Sequence, residues 1–270
     1  MNGVIPDVFR ASRPLVLAHR GGAALAPENT IAAFDRGLDH GADGLELDVH
    51  LSRDGVPVVI HDPTLDRTTN RTGPVRSLTA AELAEVDAGY RFGEGGSHPF
   101  RGQGHAVPTL ASVLTRYAGT RLVVEIKAAS PEAGRAVARL LQEHEAAARV
   151  CVGSYYPSAL GAVREAAPEI PTSASLPEAR WTLHRSWVRW PFAGRRPYTA
   201  FQVPEWAGRM RVVSPGFVRQ AHREGQVIQV WVVDTPPDAR RLLDWGVDGL
   251  ITDRPDVIVP VRDEWTDITR

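Results

Sequence analysis

Short β-rich runs begin near residues 15, 44, 121, 149, 171, 199, 227 and 249, and helical stretches alternate with them through a chain of 270 residues. A second β-run at residues 56–61 follows the one at 44–51 after only Ser52-Arg53-Asp54-Gly55. Four residues cannot make a parallel crossover, so that pair is expected as a hairpin. The eight remaining runs are each followed by a helix, or by a helix and an insert. Eight such units in one chain predict a TIM (β/α)8 barrel, with its chemistry at the carboxyl ends of the strands. An open doubly wound sheet is the second architecture compatible with the pattern.

Helix boundaries are written in the punctuation. Ser214-Pro215 and Thr235-Pro236 place a capping side chain before proline at the first helical position, and Gly41, Gly225 and Gly246 stand where helices end. From about 62 to 107 the texture changes to a glycine-rich stretch with one short helical signal at residues 79–86. This stretch is expected as a small inserted subdomain in a single barrel domain spanning 1–270.

Composition narrows the function. Thirty-one basic residues balance 32 acidic ones, which argues against a bulk nucleic-acid binder. Cys151 is the single cysteine, so an intrachain disulfide, a cysteine zinc cluster and a CxxC pair are all excluded. With no signal-peptide pattern and no membrane-length apolar run, the expected address is the cytoplasm.

Four strand ends are unusually polar: His19-Arg20-Gly21-Gly22, Glu46-Leu47-Asp48, His61-Asp62 and Glu125-Ile126-Lys127. Residues two apart on a strand share a face, so Glu46 projects with Asp48 and Glu125 with Lys127. Three carboxylates against Arg20 and Lys127 leave one negative charge in excess. A single divalent cation reverses that sign and readies the pocket for a phosphodiester anion. An all-oxygen donor set suits Mg²⁺ or Ca²⁺. Histidines are free for proton transfer. His19 and His61 each close an apolar β-run, and His50 shares the face of Glu46 and Asp48 as a weaker third candidate.

Taken in order, His19-Arg20-Gly21, Pro27-Glu28-Asn29-Thr30, Glu46-Leu47-Asp48, the run GVPVVIHD at 55–62, Glu125-Ile126-Lys127 and Thr252-Asp253-Arg254-Pro255 resemble the glycerophosphodiester phosphodiesterase family. The resemblance spans residues 15–255. It implies hydrolysis of glycerophosphodiesters to sn-glycerol 3-phosphate and an alcohol. It also implies His19 and His61 as the acid–base pair, Glu46, Asp48 and Glu125 as metal ligands, and Arg20 and Lys127 as phosphate clamps. Trp231 would form an apolar wall beside the glycerol. Attack by the glycerol 2-hydroxyl and attack by water are both compatible with these residues. The strand end at 229–234 departs from the family pattern, with Val232 and Asp234 where Thr and Asn are usual; Asp234 is read as a helix cap alongside Thr235.

One segment lies outside the family pattern. Between Glu178 and Glu205 there are five arginines (Arg180, Arg185, Arg189, Arg195, Arg196) among Trp181, Trp187, Trp190 and Phe192, and no acid. Such interleaving suits an anionic membrane surface. A loop over 180–196 that docks on lipid or grips an acyl chain makes lysophospholipids, cleaved in a lysophospholipase D reaction, the alternative substrate. A non-catalytic phosphate- or lipid-binding module is the third reading, and the histidine pair argues against it.

Overall fold

The computed structural model describes residues 6–188 and 196–269 of the chain. The elements run in the order β1 (Leu15–His19), α1 (Ile31–Asp39), β2 (Gly44–Leu51), β3 (Pro57–Val59), α2 (Ala80–Leu83), α3 (Leu110–Arg116), β4 (Arg121–Ile126), α4 (Pro131–Glu143), β5 (Val150–Gly153) and α5 (Pro157–Ala166). They continue with α6 (Leu176–Val188), β6 (Ala200–Pro204), β7 (Trp206–Ala207), β8 (Met210–Arg211), α7 (Pro215–Arg223), β9 (Val227–Trp231), α8 (Pro236–Asp244), β10 (Gly249–Thr252) and α9 (Pro255–Thr269). Among the described residues, no helix is long and apolar enough to cross a membrane.

Parallel strands lie side by side in the order β5-β4-β2-β1-β10-β9-β6, and β3 pairs antiparallel with β2 as the expected hairpin. The gap between β5 and β6 is bridged by single parallel contacts, Val152 with Thr172 and Ser173 with Ala200. The fold is therefore a TIM barrel whose fifth stave is only two residues wide. The expected strand at 171–176 is cut short because Ser175 already begins the next helix. Its backbone N–H and hydroxyl both donate to Glu178, 2.7 Å away in each case, and α6 follows at once.

Strand alternation stacks the barrel interior in layers. Val8 and Phe9 close the amino-terminal end against Cys151, Ala200 and Val227. Leu15, Leu17, Val123 and Ile251 fill the middle and support Trp231 from below. Further up the strands the inward residues are His19 on β1, Glu46 and then Asp48 on β2, and Glu125 on β4. Residues 62–107 turn back over this end and share an apolar cluster of Leu65, Val75, Leu83, Val86 and Val107 with Val58 and Ile60 of the hairpin arm.

The first active-site turn depends on a close approach. A Cβ on Gly37 of α1 would stand 2.6 Å from the Gly21 carbonyl oxygen and 2.7 Å from the Ala18 methyl, and Gly21 itself takes φ +88°. The helix can thus lie directly on the His19-Arg20-Gly21 turn. In an open helix Gly→Ala stabilises by about 0.5–1 kcal/mol, but overpacking here costs about 1–3 kcal/mol. Gly37→Ala is accordingly expected to lower the melting temperature by about 2–8 °C, which differential scanning calorimetry would measure; a rise would show that the contact gives way freely.

Candidate active site

Asp48 is the centre of the barrel mouth and is fully buried. Asn29, in the turn before α1, donates from its side-chain amide to Asp48 Oδ2 at 2.8 Å and accepts from the Asp48 backbone N–H at 3.2 Å. The Lys127 ammonium stands 3.0 Å from Oδ1 and Arg20 Nε 3.2 Å from Oδ2. Burial alone would raise the Asp48 pKa; the charges of Lys127 and Arg20 outweigh it and hold the carboxyl below its usual range. The same carboxylates outweigh desolvation at Lys127 and Arg20 and hold both cations firmly protonated.

The strand register carries its neighbours to the same level. Glu46 pairs with His19 across β2 and β1, and Asp48 with Glu125 across β2 and β4. Arg20, at φ +51°, turns its backbone N–H onto Glu46 Oε2 at 3.1 Å. Lys127 donates to Glu125 at 2.8 Å. Carboxylate oxygens of Glu46, Asp48 and Glu125 lie within 4.8 Å of one another. Burial and the charge of Asp48 push the Glu46 carboxyl up to about 8, so this crowd holds one carboxylate more than its cations neutralise. An all-oxygen donor set with unneutralised charge fits a hard divalent cation.

Both histidines are held by carboxylates through Nδ1. His19 donates from Nδ1 to Asp253 at 2.7 Å, with Nε2 3.8 Å from Glu46. His61 donates from Nδ1 to Asp62 at 2.6 Å. A carboxylate only accepts, which fixes the tautomer and leaves each Nε2 as the nitrogen for proton exchange. Burial pulls the His19 pKa down, but the Asp253 hydrogen bond and the Glu46 charge more than reverse it. His50 has another use: its Nε2 donates to the His61 carbonyl at 3.0 Å, so it braces the neighbouring strand end and does not line the cleft.

Asp253 and Asp62 emerge from the structure as partners, although both lie inside the quoted motifs. A carboxylate directly after His61 was the readable signal; for Asp253, 234 positions from His19, no spacing rule gives the pairing. Asp234 does not cap α8. That cap is Thr235 alone, whose hydroxyl accepts from the Asp238 backbone N–H. The Asp234 carboxylate instead accepts from the Thr252 hydroxyl at 2.9 Å and the Asp253 N–H at 2.8 Å, so it holds the backbone that presents Asp253 to His19.

His19, Arg20, Glu46, His61, Glu125, Lys127 and Trp231 all line one cleft of about 560 Å³. The arginine–tryptophan segment expected as a loop is helical through Val188. Arg185 and Arg196 both pair with Glu224, at 3.4 Å and 3.2 Å, so they do not form an unpaired basic face. Their acid lay beyond the window over which the sequence shows none. Arg180 lines the cleft and Trp181 is exposed. Arg189, Trp190, Phe192 and Arg195 lie outside the described residues, as does the side chain of Trp187.

Known proteins resemble this chain over most of its length. The sequence model of the Glycerophosphoryl diester phosphodiesterase family matches residues 19–257. A glycerophosphodiester phosphodiesterase of Caldanaerobacter subterraneus is 33% identical over 255 residues, covering 92% of this chain and 97% of its own. The crystal structure of glycerophosphodiester phosphodiesterase from Agrobacterium tumefaciens superposes with a TM-score of 0.75 at 31% identity, covering 92% of this chain and 99% of that one. A phosphodiesterase of Oleispira antarctica, solved in complex with the product sn-glycerol-3-phosphate, matches with a TM-score of 0.75 at 26% identity over 93% of this chain and 97% of that one.

The Asp62 bracing continues into the insert. Arg67 bonds Asp62 at 2.6 Å and Glu28 at 2.7 Å, and Glu28 in turn binds Arg20 at 2.9 Å. Arg67 chiefly holds the Asp62 carboxyl down at about 2, against an ordinary 3.8. A depressed carboxylate contributes stability above its unfolded pKa and loses it as pH falls through the folded one. Arg67→Met should therefore melt about 2–4 °C below the parent near pH 6, the effect of a part-exposed network. The gap should narrow below pH 4 and close near pH 2; a gap independent of pH would mean that Arg67 acts through packing alone.

Proposed function

The chain belongs to the glycerophosphoryl diester phosphodiesterase family as an enzyme of that class, and from that premise we propose that it cleaves glycerophosphodiesters to sn-glycerol 3-phosphate and an alcohol, with His19 and His61 exchanging the protons. The observation that carries this reading is the pair of carboxylate-oriented imidazoles, His19 on Asp253 and His61 on Asp62, lining one cleft with three clustered carboxylates between cationic neighbours. In this arrangement one Nε2 accepts the proton of the attacking hydroxyl and the other donates to the leaving alcohol oxygen. Arg20 and Lys127 present positive charge to the phosphate and stabilise the charge that builds on its oxygens during attack. Asp253 and Asp62 keep the rings oriented and stabilise whichever imidazole becomes charged. The fit of the related Oleispira antarctica enzyme, solved with sn-glycerol 3-phosphate as product, supports the same bond being broken here.

Glu46, Asp48 and Glu125 would hold a divalent cation, Mg²⁺ or Ca²⁺, which supplies Lewis-acid charge against the phosphoryl oxygens when bound. Trp231, packed on the apolar middle layer of the barrel, offers the glycerol carbons a flat apolar face.

Release of glycerol 3-phosphate from glycerophosphocholine tests this assignment. His19→Ala and His61→Ala are each expected to lower kcat by about 10²–10⁴-fold. EDTA should abolish turnover, and Mg²⁺ or Ca²⁺ should restore it. Parent-like rates in either histidine variant would remove that residue from the chemistry, and full activity after exhaustive chelation would remove the cation.

A further inference from the structure

The turn after β5 carries a polar group that the reaction described so far does not use. The register pairs Gly153 with Glu125, so Tyr155 and Lys127 each stand two residues beyond the same rung. Tyr155 lines the cleft together with Glu125, Lys127 and Trp231. Its ring meets the Trp231 ring edge-on, with centroids 6.3 Å apart. Burial pushes the Tyr155 phenol up to about 12, and the charge of Glu125 adds to the rise. The phenol therefore keeps its proton at neutral pH and can donate it in a hydrogen bond. Among the described residues, none accepts that bond.

The backbone that carries this phenol is held in place from several directions. The Ser154 hydroxyl donates to the Ile126 carbonyl of β4 at 2.7 Å and accepts from the Tyr156 N–H at 3.1 Å. Pro157 then opens α5 at its first position. The Tyr155 carbonyl accepts from the Leu176 N–H at 3.2 Å, which ties the turn to the start of α6. Two other polar side chains of the cleft lining are spent inside the protein: Ser154 on the contacts just given, and the Gln202 amide on Gln229 at 3.0 Å. The Tyr155 hydroxyl is not. A donor on a fixed turn, without a protein acceptor, is placed for an oxygen of a bound molecule, and it has little freedom left to lose on binding.

We propose that the Tyr155 hydroxyl donates to the terminal hydroxyl oxygen of the substrate's glycerol, so that Tyr155 selects glycerol diesters against diesters lacking that hydroxyl. The inference rests on the catalytic reading above and deepens it. In that reading Arg20 and Lys127 face the phosphate, while the histidines serve the attacking and leaving oxygens. The glycerol 2-hydroxyl is on the carbon next to the phosphoester carbon, within reach of the same groups. The terminal hydroxyl is one carbon further from phosphorus, and none of those groups is assigned to it. Trp231 offers the glycerol carbons an apolar face, and the Tyr155 ring packs against Trp231. The phenol thus stands beside the surface on which those carbons would lie. A site that hydrogen-bonds a substrate hydroxyl rejects the analogue without it, because the protein donor is then left desolvated and unpaired.

The experiment compares the parent with Tyr155→Phe, which keeps the ring against Trp231 and removes only the donor. Choline release is measured from glycerophosphocholine and from the phosphocholine diester of propane-1,2-diol, which retains the 2-hydroxyl and lacks the terminal one. The readout is the ratio of the two kcat/KM values. The parent is expected to prefer glycerophosphocholine, and Tyr155→Phe should cut that preference by about three- to tenfold, the effect of one neutral hydrogen bond. The cut should come from a lower kcat/KM on glycerophosphocholine, with the propanediol diester unaffected. A preference that is the same in parent and variant, whether both substrates slow equally or neither slows, overturns the role of Tyr155 and leaves the catalytic reading intact. A parent that releases no choline from glycerophosphocholine overturns the catalytic reading and this inference with it.

Discussion

A carboxylate with no access to water has to be satisfied entirely by the protein, and Asp48 sits at that extreme. Removing one partner from such a group typically costs about 3–5 kcal/mol, so the elements that supply its partners are constrained together. Asn29 must arrive from the turn before α1, at φ +59°, a backbone region that asparagine tolerates better than most residues. Arg20 must arrive from the turn after β1, which the Gly21–Gly37 approach packs against α1. Lys127 must come from the residue just beyond β4. The barrel's first, second and third parallel strands thus meet at one atom pair, and the site's geometry follows from that meeting.

From Asp48 the charges alternate outward. Arg20 links to Glu28, Glu28 to Arg67, Arg67 to Asp62 and Asp62 to His61. Each member is flanked by opposite sign, so no charge is left uncompensated as the chain of contacts passes from the buried mouth to half-exposed Arg67. The stretch at 62–107 has a catalytic consequence through this route, because Arg67 fixes the carboxylate that orients His61. On the other side, Asp234 holds the backbone that places Asp253 against His19. The two histidines are braced from opposite directions by independent parts of the chain, which keeps their separation from depending on a single loop.

Much of this was legible in the sequence for a simple reason. Strand parity puts Glu46 with Asp48 on one face, and apolar runs ending in His19 and His61 announce where strands stop; both are local properties. The hairpin after β2 follows from a four-residue connection. What local pattern could not give was pairing between distant segments: Asp253 with His19, Asp234 with Thr252, Glu224 with Arg185 and Arg196. The helix α6 is different, because its signal was present. Ser175 and Glu178 form the Ser-x-x-Glu pattern of a helix start with Pro177 inside the first turn, and that local chemistry outweighs the arginine and tryptophan composition that suggested an interfacial loop. The hairpin at 206–211 has strands of two residues each, too short for any period to register.

Proton transfer and phosphate binding need groups held to a few tenths of an ångström, and Glu46, Asp48 and Glu125 get this from strands hydrogen-bonded on both sides. A change at Asp48 disturbs three strands together, because Asp48 lies on β2 while its partners Arg20 and Lys127 follow the ends of β1 and β4. The buried charge cluster ties its residues to one another, so the strand register and the geometry of the site are set by the same contacts.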